Sequence, residues 1–296
     1  MSYWNRSEAQ FFNMYELPWR TENDLPMFHN LESRLVSRDA HSESRTYMVR
    51  IPAGWSHVEK ADEAGLEMFV FDGDMTGNGK RVGAGGYLAI PRGGGTLELS
   101  SGNGAHVLVF WNPAVTAEDY YDAQPYVASV WREDWIASKM PELEHGIMHK
   151  SLRWPDPTGG DRHGGPAGMI RFILMTPGFG EARQEVHHEC WEECIFLSGD
   201  LLIPQRGVHG AGTVLNNPAD LKHGGLITQK GAILLLHCNH PLDVEFTCLT
   251  HGQQIADDYR DTASWLPGKE HVEWKDHSLY PLCPNSEPEY DRREPA

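Results

Sequence analysis

With 296 residues, 42 of them acidic and 25 basic, the chain carries a formal charge of −17, which opposes binding to nucleic-acid backbones or anionic membrane surfaces. Its length suits two domains or one large β fold; no run approaches the ~18 apolar residues of a membrane span, and the polar opening Met1 to Arg6, followed by Glu8, lacks a secretory leader's charged and apolar regions. Five cysteines (Cys190, Cys194, Cys238, Cys248, Cys283) form an odd, sparse set that suits free thiols in a reducing compartment, so a cytoplasmic protein is expected.

Residues 1–32 are rich in aromatics (Tyr3, Trp4, Phe11, Phe12, Tyr15, Trp19, Phe28) without a sustained helical period. They read as an arm lying over another surface, because aromatics bring much buried area per residue. Over 33–116 the texture changes to short β-prone runs such as Tyr47–Ile51, Met68–Phe71 and Val107–Trp111, separated by Asp72-Gly73-Asp74, Gly77-Asn78-Gly79 and Arg92-Gly93-Gly94-Gly95. Short strands at close spacing predict a sandwich or barrel. Residues 117–149 form a connector with helical possibilities around Ala117 to Tyr121 and from Val127 to Met140. The β texture resumes over 150–250, with runs at Met169–Met175, Cys194–Leu197, Gly225–Thr228, Ala232–His237 and Val244–Leu249, preceded by a glycine-rich loop around Gly159 to Gly165. Residues 251–296 carry proline and charge and read as an extended tail.

The two β regions look like copies. Trp19-Arg20 and Trp131-Arg132 each precede a β-prone run, and Glu67-Met-Phe-Val-Phe-Asp-Gly-Asp lines up with Glu193-Cys-Ile-Phe-Leu-Ser-Gly-Asp. A repeat of ~115 to 125 residues is a whole domain, far above solenoid periods. The expected architecture is therefore all-β, a duplicated small barrel.

Val186-His187-His188-Glu189-Cys190-Trp191-Glu192-Glu193 packs two imidazoles and three carboxylates at the mouth of an apolar strand, the donor set of a divalent metal site. His188 and Glu192, four apart, share a face of a regular strand. Asn217-Pro218-Ala219-Asp220-Leu221-Lys222-His223 places a further histidine five residues after a proline, at the entry to the next run. The blander reading is a polar strand end with a satisfied core histidine, but independent histidines would not be expected at both spacings. Glu193 aligns with Glu67 and takes a shared structural or solvent-facing role. Cys190 and Cys194 read as small buried hydrophobes before cavity residues. His237 is worth watching because it ends the strand after His223. Arg171, Trp154 and Trp191 are read as packing residues before substrate contacts.

These features resemble the two signature motifs of the cupin superfamily, and the duplication resembles a bicupin, in the group related to the cupin domain of the bacterial zinc-containing anti-sigma factor and to acetylacetone-cleaving dioxygenases. The resemblance spans roughly 33–113 and 150–250. It implies jelly-roll barrels of six to eight strands, with one divalent metal held by His187, His188, Glu192 and His223; Fe(II) is favoured, with zinc or manganese as alternatives. The family usually has His-x-His where this chain has adjacent histidines. One spacing puts Val186 and His188 at those positions and the other puts Glu185 and His187 there, and the alternatives stay open. In the first copy His57 and Glu67 remain, but Thr96 stands where the second has His223, so that barrel is expected to be metal-free. The resemblance implies an Fe(II) dioxygenase opening a C–C bond in a small oxygenated substrate. The alternatives are a zinc or manganese hydrolase, lyase or isomerase, or a non-catalytic small-molecule sensor. A homodimer is plausible if the aromatic arm crosses to a neighbour.

Overall fold

Short apolar runs rich in β-branched and aromatic residues favour pleated, paired backbone, and in the computed structural model they form antiparallel strands throughout. The structure describes residues 9–249 apart from 114–123, 139, 141–142, 154–167, 189, 204–205, 240–241 and 243. Among them are two short 3₁₀ turns and no α-helix. The arm contributes β1 (Gln10–Asn13). The first half forms β2 (Ser33–Arg38), β3 (Arg45–Ile51), β4 (Trp55–Glu59), β5 (Gly65–Gly73), β6 (Met75–Gly77), β7 (Lys80–Val82), β8 (Gly86–Ile90), β9 (Leu97–Ser101) and β10 (Ala105–Asn112). The connector contributes β11 (Tyr126–Ser129) and β12 (Ile136–Ala137). The second half forms β13 (Ile147–Ser151), β14 (Met169–Met175), β15 (Gly180–Val186), β16 (Glu192–Gly199), β17 (Leu201–Ile203), β18 (Gly207–His209), β19 (Thr213–Asn217), β20 (His223–Ile227), β21 (Ala232–Cys238) and β22 (Glu245–Leu249).

The helix expected from Val127 to Met140 is therefore corrected to β11 and β12, because pairing with neighbouring strands overrides a weak local preference. The helical possibility at Ala117 to Tyr121, the glycine-rich loop around Gly159 to Gly165 and the tail at 251–296 lie outside the described residues.

A six-stranded sheet, β11-β8-β5-β10-β3-β2, and a four-stranded sheet, β4-β9-β6-β7, enclose the first core; a seven-stranded sheet, β1-β19-β16-β21-β14-β13-β12, and a five-stranded sheet, β18-β17-β20-β15-β22, enclose the second. The two larger sheets also meet each other. Phe69, Phe71, Leu108 and Phe110 from one pack with Ile170, Phe172, Ile195 and Leu235 from the other, and the Phe69 and Phe172 rings lie 6.3 Å apart. Both faces of these sheets are thus covered, which is why their strands read as continuous apolar runs and not as clean alternation.

The duplication is visible in the registers. Phe110 stands opposite Glu67 as His237 stands opposite Glu193, and Glu59 stands opposite Leu97 as Glu185 stands opposite His223. At the same turn in each half, Gly73 and Gly199 have φ of 78° and 85°. A Cβ there would lie 2.0 Å from the Gly104 carbonyl oxygen or 1.9 Å from that of Gly231, so only glycine fits.

The segments ahead of each half are exchanged. Strand β11, which precedes the second half, covers β8 of the first barrel, with Tyr126 opposite Ala89 and Ser129 opposite Gly86. Strand β1, which precedes the first half, covers β19 of the second, with Gln10 opposite Asn216 and Asn13 opposite Thr213. The match extends to the next residue: Val130 N–H donates to Gly85 O at 2.9 Å and Met14 N–H to Gly212 O at 2.8 Å. Each sheet edge is closed by chain from the other side of the repeat.

Two glutamates are wholly buried where the halves meet. Glu67 accepts from Arg153 Nε and Nη2, both at 2.7 Å, from Asn112 Nδ2 at 3.1 Å and from the Tyr87 hydroxyl. Burial opposes its ionisation, but the charge and hydrogen bonds of Arg153, then His237 and Tyr87, outweigh this and hold the carboxyl below its ordinary value. Glu193 accepts from the Ser37 and Thr46 hydroxyls and has His237 Nδ1 at 3.3 Å. Each half thus supplies hydrogen bonds to the other's glutamate, and of the two roles considered for Glu193 the structural one holds.

Candidate metal centre

Strand β15 stops at Val186, so the adjacent histidines are not on regular strand and need not face opposite sides by the two-residue rule. His187 turns inward at 2% exposure. Its Nε2 lies 3.4 Å from Glu192 Oε1, at the start of β16. His223, at the start of β20, places Nε2 3.4 Å from Glu192 Oε2 and Nδ1 3.5 Å from Glu185 Oε1; Glu185 is its cross-strand partner on β15. The two imidazole centroids are 5.4 Å apart. One donor atom from each of Glu185, His187, Glu192 and His223 can be chosen so that all four lie within 4.8 Å of one another, and all four side chains are largely or wholly buried.

His188 is not part of this group, a correction to the expected ligand set. Its side chain is 51% exposed, with Nδ1 2.9 Å from Asp220 and Nε2 3.3 Å from Glu245. Hydrogen bonds from Asp220 and then Glu245 hold its pKa above the ordinary imidazole value. The pair Glu185 and His187, one of the two spacings left open by the sequence, is the one that faces inward. His237 faces the other half, its ring centroid 4.6 Å from that of Phe110, and Trp191 lies against His237 at 4.9 Å. Cys194 lines the cavity, and Cys190, Cys194 and Cys238 are buried free thiols. Trp154 and Cys283 lie outside the described residues.

The donors fit a divalent cation. Two imidazoles and two carboxylates suit borderline metals, and His223 Nε2 is buried without a hydrogen-bond partner among the described residues. Without a cation the arrangement is electrostatically awkward. Burial, then the neighbouring charge of Glu192, pushes the Glu185 carboxyl well above its ordinary range. Burial also opposes ionisation of Glu192, but His187, His223 and the Asn217 amide bring it below the usual value; burial lowers His223. A cation would let both carboxylates ionise.

A pH prediction follows. Glu185 has a folded pKa above its unfolded one, so its contribution to stability is complete at acid pH and is lost as pH rises through the folded value. Glu192 and His223 are shifted downward and act at lower pH. The melting temperature of metal-free protein should therefore fall between about pH 6 and about pH 9, and Glu185→Gln should flatten the fall. Calorimetry across that range checks it.

Asn217 is a contributor the sequence did not single out. It stands opposite Glu192 across the ladder, and its Nδ2 donates to Glu192 Oε2 at 3.1 Å. Asn217→Ala should weaken metal binding by about 10- to 100-fold, the usual effect of losing a group that orients a ligand. Titration against a metal-chelating dye would measure it.

The first barrel carries different residues at these points. Sheet register places Glu59 where the second has Glu185, and the same offset of 126 (185 − 59) places Ala61, Leu66 and Leu97 at the positions of His187, Glu192 and His223. All three are buried in the first core. The counterpart of His223 is thus Leu97, not Thr96. His57 is on β4, stacked on Trp55 and 3.2 Å from Glu59, while Glu67 faces the other half, so the two do not converge.

The four donors open onto a cavity inside the second barrel with about 90 Å³ accessible to the centre of a water molecule. Its wall is mostly hydrocarbon, from Leu143, Ile173, Met175, Phe196, Leu215 and Leu236 among others, and Phe11 of the arm closes one side. Phe11 is stacked 5.3 Å from His209 and lies under the Arg206 guanidinium.

No family model and no curated protein matches the sequence. The fold does match solved structures. A candidate dioxygenase from Nostoc punctiforme aligns with TM-score 0.66 at 16% identity, over 82% of this chain and 88% of that one. A candidate glyoxylate-induced protein from Pseudomonas aeruginosa aligns with TM-score 0.57 at 15% identity, over 77% and 84%. A cupin 2 conserved barrel domain protein from Leptotrichia buccalis aligns with TM-score 0.50 at 11% identity, over 79% and 97%. At such identities the likeness is one of fold.

Proposed function

We propose that this chain, a tandem of two cupin-fold barrels, is a metal-dependent enzyme acting on a small oxygenated organic molecule, and specifically an Fe(II) dioxygenase that opens a C–C bond. One observation carries the reading: two histidines and two glutamates, drawn from three strands and the turn after one of them, converge at the wall of a mostly apolar cavity. The Nostoc punctiforme relative is described as a candidate dioxygenase, but its likeness carries the fold and not the reaction.

Glu185, His187, Glu192 and His223 would hold the ion, with Asn217 fixing the Glu192 carboxylate. When bound, an iron ion supplies redox chemistry toward dioxygen and Lewis acidity toward a substrate oxygen. Zinc or manganese would supply the second alone, for hydrolysis, lyase action or isomerisation. The chain's own contribution is position and environment. Leu215, Phe196 and Ile173 exclude water from the reacting face, and Phe11 shuts the cavity from the arm side. The first barrel keeps a single carboxylate, Glu59, at the corresponding places, with Ala61, Leu66 and Leu97 at the other three, and serves as the surface against which the second is built.

The test is metal analysis of purified protein and of protein reconstituted with Fe(II) under anaerobic conditions, followed by oxygen uptake on a panel of diketones and hydroxyketones. About one iron per chain with substrate-dependent oxygen consumption is expected. No bound transition metal under any loading would refute the reading. Turnover without oxygen use would favour hydrolase, lyase or isomerase chemistry, and retained metal without any turnover would favour the sensor.

A further inference from the structure

The inner face of the second barrel is laid out in rows across its large sheet. Phe11 on β1 stands opposite Leu215, Leu215 stands opposite Cys194, and all three line the cavity. Glu192 is two residues before Cys194 on the same inward face. The Phe11 and Glu192 backbones are thus about 10 Å apart across the sheet and about 7 Å along it, with the ring and the carboxylate both reaching into the space between them. Every other described residue of the cavity wall belongs to the chain from Ser138 onward. Phe11 comes from the arm, on an edge strand whose four residues are half-buried. Its ring is backed by His209, stacked on it at 5.3 Å, and by the Arg206 guanidinium 4.8 Å from its centroid, neither of which lines the cavity. His209 is itself buried, at 8% exposure. Two large side chains thus hold the ring in place at one end of the chamber.

We propose that Phe11 sets the length limit of the substrate: the oxygenated end of the molecule faces the four-residue cluster, its carbon chain points at the Phe11 ring, and only a short chain fits between them. The cavity, with about 90 Å³ accessible to the centre of a water molecule, admits on the order of six to eight non-hydrogen atoms when one water needs about 10 to 15 Å³. A diketone or hydroxyketone of about five carbons meets that count. A chain several carbons longer has to drive the ring against His209 and Arg206. Leu215 and Cys194, between the ring and the carboxylate, supply the apolar floor over which the chain lies. An apolar chamber open at this end would behave in the opposite way, because each further buried CH₂ tightens binding roughly fourfold. The sign of the chain-length dependence separates the two.

This inference names the size class of the substrate at the proposed metal site and rests on that reading, so binding and metal content are measured separately from turnover. Calorimetric titration of metal-loaded wild type should show acetylacetone bound at least tenfold more tightly than valerylacetone, its longer-chain homologue. Phe11→Val keeps a strand-forming residue on β1 and shortens the side chain. It should tighten valerylacetone at least tenfold, change acetylacetone by less than about threefold and retain the metal; Phe11→Leu should give part of this gain and serves if the valine variant does not fold. Ile147→Ala, which widens the wall on β13 toward the far edge of the same sheet, should leave the ratio as in wild type. The proposal is overturned by a wild type that binds valerylacetone as tightly as acetylacetone or binds neither, by a folded Phe11→Val protein with the wild-type ratio, or by an Ile147→Ala protein that relaxes the limit equally. A wild type that takes up no metal by elemental analysis refutes the functional reading instead, and the ratio of the two diketones, read on that same protein, still decides the role of Phe11.

Discussion

Alanine at Glu192 or at His223 is expected to lower the metal held per chain from near one to a small fraction after dialysis, with affinity reduced by more than the roughly 100-fold that loss of an orienting neighbour can cost. Alanine at His188 is expected to leave it unchanged. Glu192 approaches both inward imidazoles, at 3.4 Å each, and His223 bridges Glu192 and Glu185, so each substitution removes a donor from the centre of the group. His188 has its two ring nitrogens turned to Asp220 and Glu245 on the surface. Elemental analysis with far-UV circular dichroism on the three variants decides it. Loss of metal from His188→Ala equal to that from His223→Ala would mean that the turn after Val186 adopts the opposite facing in the loaded protein.

Glu67→Ala is expected to leave metal content intact and to destabilise the fold by about 3 to 5 kcal/mol, the effect of removing one partner from a buried ion pair. The bidentate bond from Arg153, itself buried, would lose its acceptor, and the Tyr87 hydroxyl and Asn112 amide would lose theirs. Glu67→Ala with Arg153→Met should recover part of the loss, because it removes the stranded charge. Denaturant midpoints of the two proteins provide the measurement. A single variant as stable as wild type would show that water reaches Arg153 between the halves.

The apolar runs were legible because both faces of the large sheets are covered; the period-two pairing of His188 with Glu192 did not hold, because β16 begins only at Glu192 and His188 lies in the turn before it, exposed. The proline-to-histidine spacing brought out His223. Comparing the two copies separated Glu192 from Glu193, but whether Glu193 faced solvent or protein depended on Ser37 and Thr46, more than 140 residues away. The choice between His187 and His188 turned on one backbone detail, the end of β15 at Val186, which no side-chain pattern encodes. Arg171, read as packing, lines the cavity of the second barrel; a charged residue inside an apolar run has no signature that distinguishes a cavity from a sheet interface. In β11, Tyr126 and Val127 favour a strand by themselves, and the open edge of β8 supplies the pairing that the sequence pattern did not show.

The exchanged strands β1 and β11 give the duplication a history as well as a geometry. Two identical single-barrel subunits that traded their leading strands would form a closed, two-fold dimer, and joining them end to end yields the arrangement seen here within one chain. Fusion makes the association intramolecular and independent of concentration. It also releases the two copies from identity: once neither half can leave the other, one can carry Ala61, Leu66 and Leu97 and specialise as a buttress while its twin holds the cluster of His187, Glu192 and His223.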